Sequence, residues 1–283
     1  MGPESAPGTS RPRSEALMPA APAGPTVWLT CLPAVLAVLV VAEQIAYPLL
    51  SGRARDAATV AIVVTLALAC VAHAAVTRGA AVAAALLALT AVPGFALEVL
   101  GVHSGFPFGH YAYSTTLGPR WGGVPVVIGL AWTMLAWPAV LAARALVRSP
   151  VARVLVGGWA LASADLFLDP QMVDRGYWTW RDPTPHLPGV GRVPLTNFAG
   201  WLLVSLVIAA AVQALLRRDD QLLLRRGRRD DLVPRLLYLW LYVGWIVALA
   251  VFGDLPAAAG WGALGMGPVA IPLAARHVRT GRR

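Results

Sequence analysis

The sequence predicts an all-α, polytopic integral membrane protein with about eight transmembrane helices. Composition is the first ground. Of 283 residues, 58% are hydrophobic and 13% charged, whereas soluble chains carry nearer a quarter charged. Spacing is the second. Eight apolar runs approach or exceed the roughly 20 residues that a helix needs to cross a bilayer. The third is the placing of the 23 basic residues, all arginine, which gather between these runs.

Residues 1–26 are rich in Pro, Ala, Gly and Ser and lack periodicity. They read as a disordered cytoplasmic tail, not a cleaved signal. The apolar runs follow at Val27–Leu50, Ala57–Val76, Ala80–Gly101, Val124–Val147, Val151–Asp169, Leu195–Leu216, Val233–Phe252 and Trp261–Ala275. The last is short and glycine-rich and is the weakest of the eight; a seven-helix chain would need it to be re-entrant. Residues 27–276 form a single transmembrane helical domain, closed by a basic tail at 277–283. Eight crossings put both termini on one side. Of the arginines, 17 fall on that side and 6 on the other, which predicts a cell-membrane protein with both termini cytoplasmic. The segment RRDDQLLLRRGRRDDLVPR is then a cytoplasmic cluster that sets topology and touches anionic lipid. No nucleic-acid partner is expected. Cys31 and Cys70 lie inside apolar runs, without metal-ligand spacing, and read as small buried hydrophobes.

Carboxylates interrupt this apolar pattern. Glu98 lies in TAVPGFALEVLGVH, and Asp165 and Asp169 in WALASADLFLDP. An ionisable group at membrane depth costs at least ~2.5 kcal/mol on insertion scales, so each is a candidate functional residue. All three fall near the outer ends of their runs. The i, i+4 spacing of Asp165 and Asp169 sets both on one helix face, about 6 Å apart along the axis. Asn197 opens the next run at the same level. Pro93 and Gly94, a turn before Glu98, are suited to kink that helix and free backbone groups beside a pocket. Glu43, near Tyr47, is a further intramembrane acid, able to join the pocket or to snorkel to the interface.

Two loops on the predicted outer side, VHSGFPFGHYAYSTTLGPRWGG and QMVDRGYWTWRDPTPHLPGVGR, are dense in aromatics, Gly and Pro. Such segments suit a cap over a bundle that lines a cavity. Phe108, Tyr111, Tyr113, Trp132, Tyr177, Trp178, Trp180, Asn197 and Trp201 are the candidate substrate contacts. Plainer roles stand beside these. Asp169, before Pro170, can simply end a helix. Glu98 and Asp165 can pair helices, and Asn197 can be a helix N-cap. The tryptophans can form an interfacial belt. His103 and His110 read as hydrogen-bonding loop residues, because no recognised spacing makes them metal ligands.

The segments FALEVLGVHSGFPFGHYAYSTTLGP, GVPVVIGLAW, DLFLDPQMVDRGYWTW and VPLTNFAGWLL together resemble the CruF-type carotenoid biosynthesis proteins, which are membrane carotenoid hydratases. The resemblance runs from about Pro93 to Leu203. The combination of Glu-x-x-Gly-x-x-x-Gly-x-Pro-Phe-Gly-x-Tyr with Asp-Pro and Gly-Tyr-Trp-x-Trp carries it. It implies addition of water to a terminal double bond of a linear C40 or C50 carotenoid, giving a tertiary alcohol. It implies no redox cofactor and no metal, and other carotenoid enzymes as partners in the bilayer. The residues agree: no His-rich box or haem motif is present.

The chemistry suits the residue types independently. Water adds to an isolated trisubstituted alkene after protonation at the less substituted carbon. The site then needs a desolvated carboxylic acid, a stabiliser for a tertiary cation and an oriented water. Glu98 is the preferred acid, because Phe95, Leu97, Val99 and Leu100 make its surroundings the more apolar. Asp165 would orient the water and Asp169 would hold its geometry. The competing readings are a non-catalytic carotenoid or isoprenoid binding or assembly protein, and a transporter. No convincing inverted repeat supports the latter.

Overall fold

The chain folds into α-helices that each close their own hydrogen-bond ladder, as backbone in hydrocarbon must. In this computed structural model, residue 2, residues 27–222 and residues 231–281 are described. The expected tail at 1–26, apart from Gly2, lies outside the described residues, as do the middle of the arginine-rich segment and the last two residues of the C-terminal tail.

Helix α1 is Val27–Ala46, prolonged by a 3₁₀ turn at Tyr47–Leu49; α2 is Gly52–Arg78 and α3 is Ala80–Ser104. Helix α4 is Val127–Leu146, α5 is Pro150–Ala162 and α6 is Asp165–Asp174. Helix α7 is Leu195–Leu222, and α8 is Leu232–Val247, continued by a π-type turn at Ala248–Phe252. Helix α9 is Pro256–Gly281. With α5 and α6 taken as one crossing, eight segments among the described residues are long and apolar enough to span a membrane. Helix α4 is the axis of the bundle: it packs on α2, α3, α5, α7, α8 and α9 and is buried almost throughout.

Two expectations need correction. The last run is not short: its helix starts at Pro256 and ends at Gly281. Its glycines are packing sites, since a side chain at Gly262 or Gly265 would meet Phe167 or Leu166 of α6, and small residues let membrane helices approach closely. The fifth run is not one helix. At Ser163–Ala164 the ladder tightens to three-residue bonds, Ala164 N to Leu161 O and Phe167 N to Ala164 O, both 3.2 Å. Helix α6 then passes through Pro170, so Asp169 does not end a helix. Helix α3 includes Pro93 and Gly94 within its span. Gly94 is where the Trp132 side chain packs, leaving no room for a Cβ.

The two aromatic loops are tied together by short strands. Strand β1, Tyr111–Tyr113, pairs antiparallel with β4, Trp178–Trp180, so that Tyr111 faces Trp180 and Tyr113 faces Trp178. Between them β2, Arg120–Trp121, and β3, Val124–Pro125, form a hairpin. Its turn is Gly122–Gly123, both at positive φ (58° and 84°), as a two-residue hairpin turn requires. Strand alternation does the rest: Tyr111 and Trp178 are buried, while Ala112 and Thr179 between them point outward.

Five of the eight crossings lie between Thr115, in the loop after β1, and Arg276 in α9, and an odd number puts the two on opposite sides. From the arginine distribution we propose that the Arg276 side is cytoplasmic. In a chain cleared of Cys31 and Cys70, Thr115→Cys and Arg276→Cys are expected to react with an impermeant thiol reagent from opposite faces. Reaction from one face would overturn the eight-span arrangement.

Candidate active site

Glu98 is buried in the last third of α3, at 4% exposure. The Tyr111 hydroxyl donates to its Oε2 at 2.5 Å and the Tyr113 hydroxyl at 2.8 Å. The Glu-x-x-Gly spacing explains how Tyr111 reaches it. Gly101 lies one turn on from Glu98 on the same helix face, and a Cβ there would stand 2.9 Å from the Tyr111 hydroxyl and 3.0 Å from the Phe108 ring. A bare backbone at 101 therefore admits the phenol. Burial first, then the neighbouring Glu98 carboxylate, push the Tyr111 and Tyr113 phenols above the ordinary tyrosine range. Both keep their protons and remain donors.

Asp165 and Asp169 share one face of α6, as the spacing predicts, and both are buried. One amide joins them: Asn197 Nδ2 donates to Asp165 Oδ2 at 2.8 Å and also to Asp169 Oδ2. The two oxygens thus lie within two hydrogen-bond lengths of each other. Asn197 is the third residue of α7 and not its N-cap. Trp178 Nε1 donates to Asp169 Oδ1 at 3.1 Å, so β4 holds one acid as β1 holds the other. Asp165 Oδ1 is buried without a hydrogen-bond partner. Among the described residues no cation pairs with Glu98, Asp165 or Asp169.

Glu98, Asp169 and Asn197 face a common cavity of about 360 Å³. Of the nine expected substrate contacts, Phe108, Tyr111, Tyr113, Trp132, Trp178, Trp180, Asn197 and Trp201 line it. Trp132 and Trp201 stack at 4.1 Å between ring centroids, 18° from parallel, and make a flat aromatic wall. Tyr177 does not line the cavity; its hydroxyl turns to Thr59 and Asp56. Asp165 does not line it either, and sits behind Asn197. Glu43 is also outside, with Oε1 bonded to Thr65 at 3.1 Å. His103 bonds the Val99 carbonyl of its own helix at 2.9 Å. Among the described residues no group of three His, Cys, Asp or Glu side chains has the arrangement of a metal site.

The cavity reaches the lipid-facing flank of the bundle. Ile45 of α1, and Val243, Val247 and Phe252 of and beyond α8, line it and are 45–61% exposed. There Trp240 Nε1 donates to Gln44 Oε1 at 2.6 Å, bridging α8 to α1. Gln44, Tyr47, Thr59, Gln171 and Trp240 are cavity residues that sequence reasoning missed. Gln44 carried a readable signal, a polar residue inside an apolar run. Thr59 carried none.

A family model for carotenoid biosynthesis proteins matches residues 57–269. The bisanhydrobacterioruberin hydratase of Haloarcula japonica is 33% identical over 181 residues. That stretch is 57% of this chain and 57% of that protein, so the chain spans little more than half the length of the curated relative. No solved structure matches the chain.

Asn197→Leu tests the joint between the carboxyls. Removing the amide leaves two buried acceptors unsatisfied, at about 1–3 kcal/mol each. Thermal unfolding in detergent is expected to shift down by several degrees relative to wild type. An unchanged midpoint would mean that the amide holds nothing.

Proposed function

This chain belongs to the carotenoid biosynthesis protein family, and from that premise we propose that it is a membrane hydratase, adding water across a terminal carbon–carbon double bond of an acyclic C40 or C50 carotenoid. The observation that carries the reading is the pair Glu98 and Asp169, two carboxyls from different helices facing one aromatic-walled cavity that reaches the lipid flank. The name of the Haloarcula japonica relative supports the same reaction.

The residues divide the chemistry. Glu98 Oε2 is occupied by the two tyrosine hydroxyls, which leaves Oε1 to deliver a proton. The proton goes to the less substituted alkene carbon and the π electrons form the new C–H bond. The tertiary cation left on the other carbon lies against the Trp132–Trp201 wall, where cation–π attraction is worth about 2 kcal/mol when desolvated. Water attacks that carbon and gives its proton to Asp169, which Trp178 and Asn197 hold in position. Transfer of this proton back to Glu98 closes the cycle, and the net change is one water added. We assign the water to Asp169 in place of Asp165, because Asp169 lines the cavity. Asp165 supports it from behind, through Asn197.

Co-expression with a linear carotenoid pathway tests the reading. The pigments are expected to gain a tertiary alcohol whose oxygen comes from H₂¹⁸O. Oxygen arriving from ¹⁸O₂ would sink the hydratase and imply a monooxygenase. Pigment bound but unchanged would favour a binding protein.

The isosteric changes Glu98→Gln and Asp169→Asn are each expected to cut turnover at least ~10²-fold, the scale of a lost general acid or base, at unchanged protein level. Asp165→Asn is expected to cost less than Asp169→Asn. The reverse order would return the water to Asp165.

A further inference from the structure

The cavity carries polar groups that the two acids do not use. Tyr47, in the turn that ends α1, and Thr59, in the second turn of α2, both line it. Their hydroxyls lie 3.2 Å apart. The Thr59 hydroxyl is also 3.1 Å from that of Tyr177, and Tyr177 donates to Asp56 Oδ1 at 2.9 Å. Tyr47, Thr59 and Tyr177 are buried, at 9%, 8% and 2% exposure, whereas Asp56 is only half-buried. Thr59 has one proton to share among Tyr47, Tyr177 and the Arg55 carbonyl, 2.9 Å away, so a row of polar groups in exchangeable contact runs from a carboxylate at the bundle surface to the cavity wall.

A second observation points to a small polar ligand inside. Gln171, two residues after Asp169, lines the same cavity at 8% exposure, and its Oε1 is buried with no hydrogen-bond partner. A buried acceptor left by the protein is normally satisfied by water.

These groups meet a need that the site creates. Hydration consumes one water per turnover, yet the flank that suits a polyene, with Ile45, Val243 and Val247, opens on hydrocarbon. We propose that the Asp56–Tyr177–Thr59–Tyr47 chain is the path by which water reaches the cavity from the aqueous face on the side of the strands, and that Gln171 receives it within. The purpose of this path rests on the hydratase reading; its existence does not. Hydroxyls fit the task because each donates and accepts at once. A passing water can exchange partners along them without stranding a buried group.

The test is made on full-length protein in membranes, with Cys31 and Cys70 replaced by alanine. Thr59→Cys is expected to react with a small, charged, membrane-impermeant thiol reagent. Leu68→Cys, which lies at 51% exposure on the outer surface of the same helix, is expected not to react. Failure of Thr59→Cys to react would overturn the path.

Thr59→Val is expected to lower kcat about tenfold, the scale of one hydrogen bond lost by the passing water. KM for the carotenoid should not change, and Thr59→Ser should restore the rate. Full activity in Thr59→Val, or a change confined to KM, would also overturn the path. Reaction at Thr59→Cys in a protein that hydrates no carotenoid would leave the path standing and remove the hydratase.

Discussion

Three carboxyls sit inside an apolar bundle with no paired cation among the described residues, so neutral donors have to satisfy their oxygens. Helix backbone cannot provide them, because its N–H groups are spent on the ladder. Side chains from outside the apolar spans supply most of them. Tyr111 and Tyr113 reach Glu98 from β1, Trp178 reaches Asp169 from β4, and Asn197 joins the two aspartates from the start of α7. The pairing of β1 with β4 therefore does more than cap the bundle. It fixes the donors of one acid against the donor of the other, and so sets where Glu98 stands relative to Asp169.

Magnitudes explain why so much structure is committed to so few atoms. Burying a charge costs several kcal/mol after relaxation, and a hydrogen bond to a charged group returns about 1.5–3 kcal/mol. One bond does not offset one charge. Glu98 has two donors and Asp169 has two, and in the proposed reaction these are the acids that would exchange protons. A buried arginine or histidine beside them would satisfy them better and remove the proton that alkene chemistry needs.

How much of this could be read from the sequence depends on the range of each interaction. Glu98, Asp165 and Asp169 were legible because a carboxyl in an apolar run is costly wherever the chain folds. The common face of Asp165 and Asp169 followed from helical spacing alone. The motif Glu-x-x-Gly was visible as a pattern, but its meaning was not. Gly101 is small because Tyr111, ten residues later, needs the space. Strands of three residues, such as β1 and β4, leave no periodic signal, and the pairing of Tyr113 with Trp178 and of Tyr111 with Trp180 is set by tertiary structure. The glycines of α9 were misread as weakness for the same reason, since only contact with Phe167 and Leu166 gives them a purpose. Thr59 is an ordinary helix residue until Tyr47 and Tyr177 arrive beside it.

The depth of the site also has a physical logic. The polar ends of α3, α6 and α7 lie close to the strand-covered face, while Ile45, Val243 and Val247 open the same cavity toward lipid. A polyene partitions into hydrocarbon and water is excluded from it, so the proposed reaction between the two would need a place that touches both phases. Deeper in the bundle, water would be too scarce. Above the strands, a polyene end would have to leave the bilayer, and a carbocation formed there would meet bulk solvent. A cavity at the outer third of the helices, roofed by aromatic strands, avoids both. The roof supplies the N–H and O–H groups that hold the acids, while Trp132 of α4 and Trp201 of α7 supply the faces that would steady a cation in the proposed reaction. Tyrosine and tryptophan, apolar in body with one polar edge, are the residues that can do both at this depth.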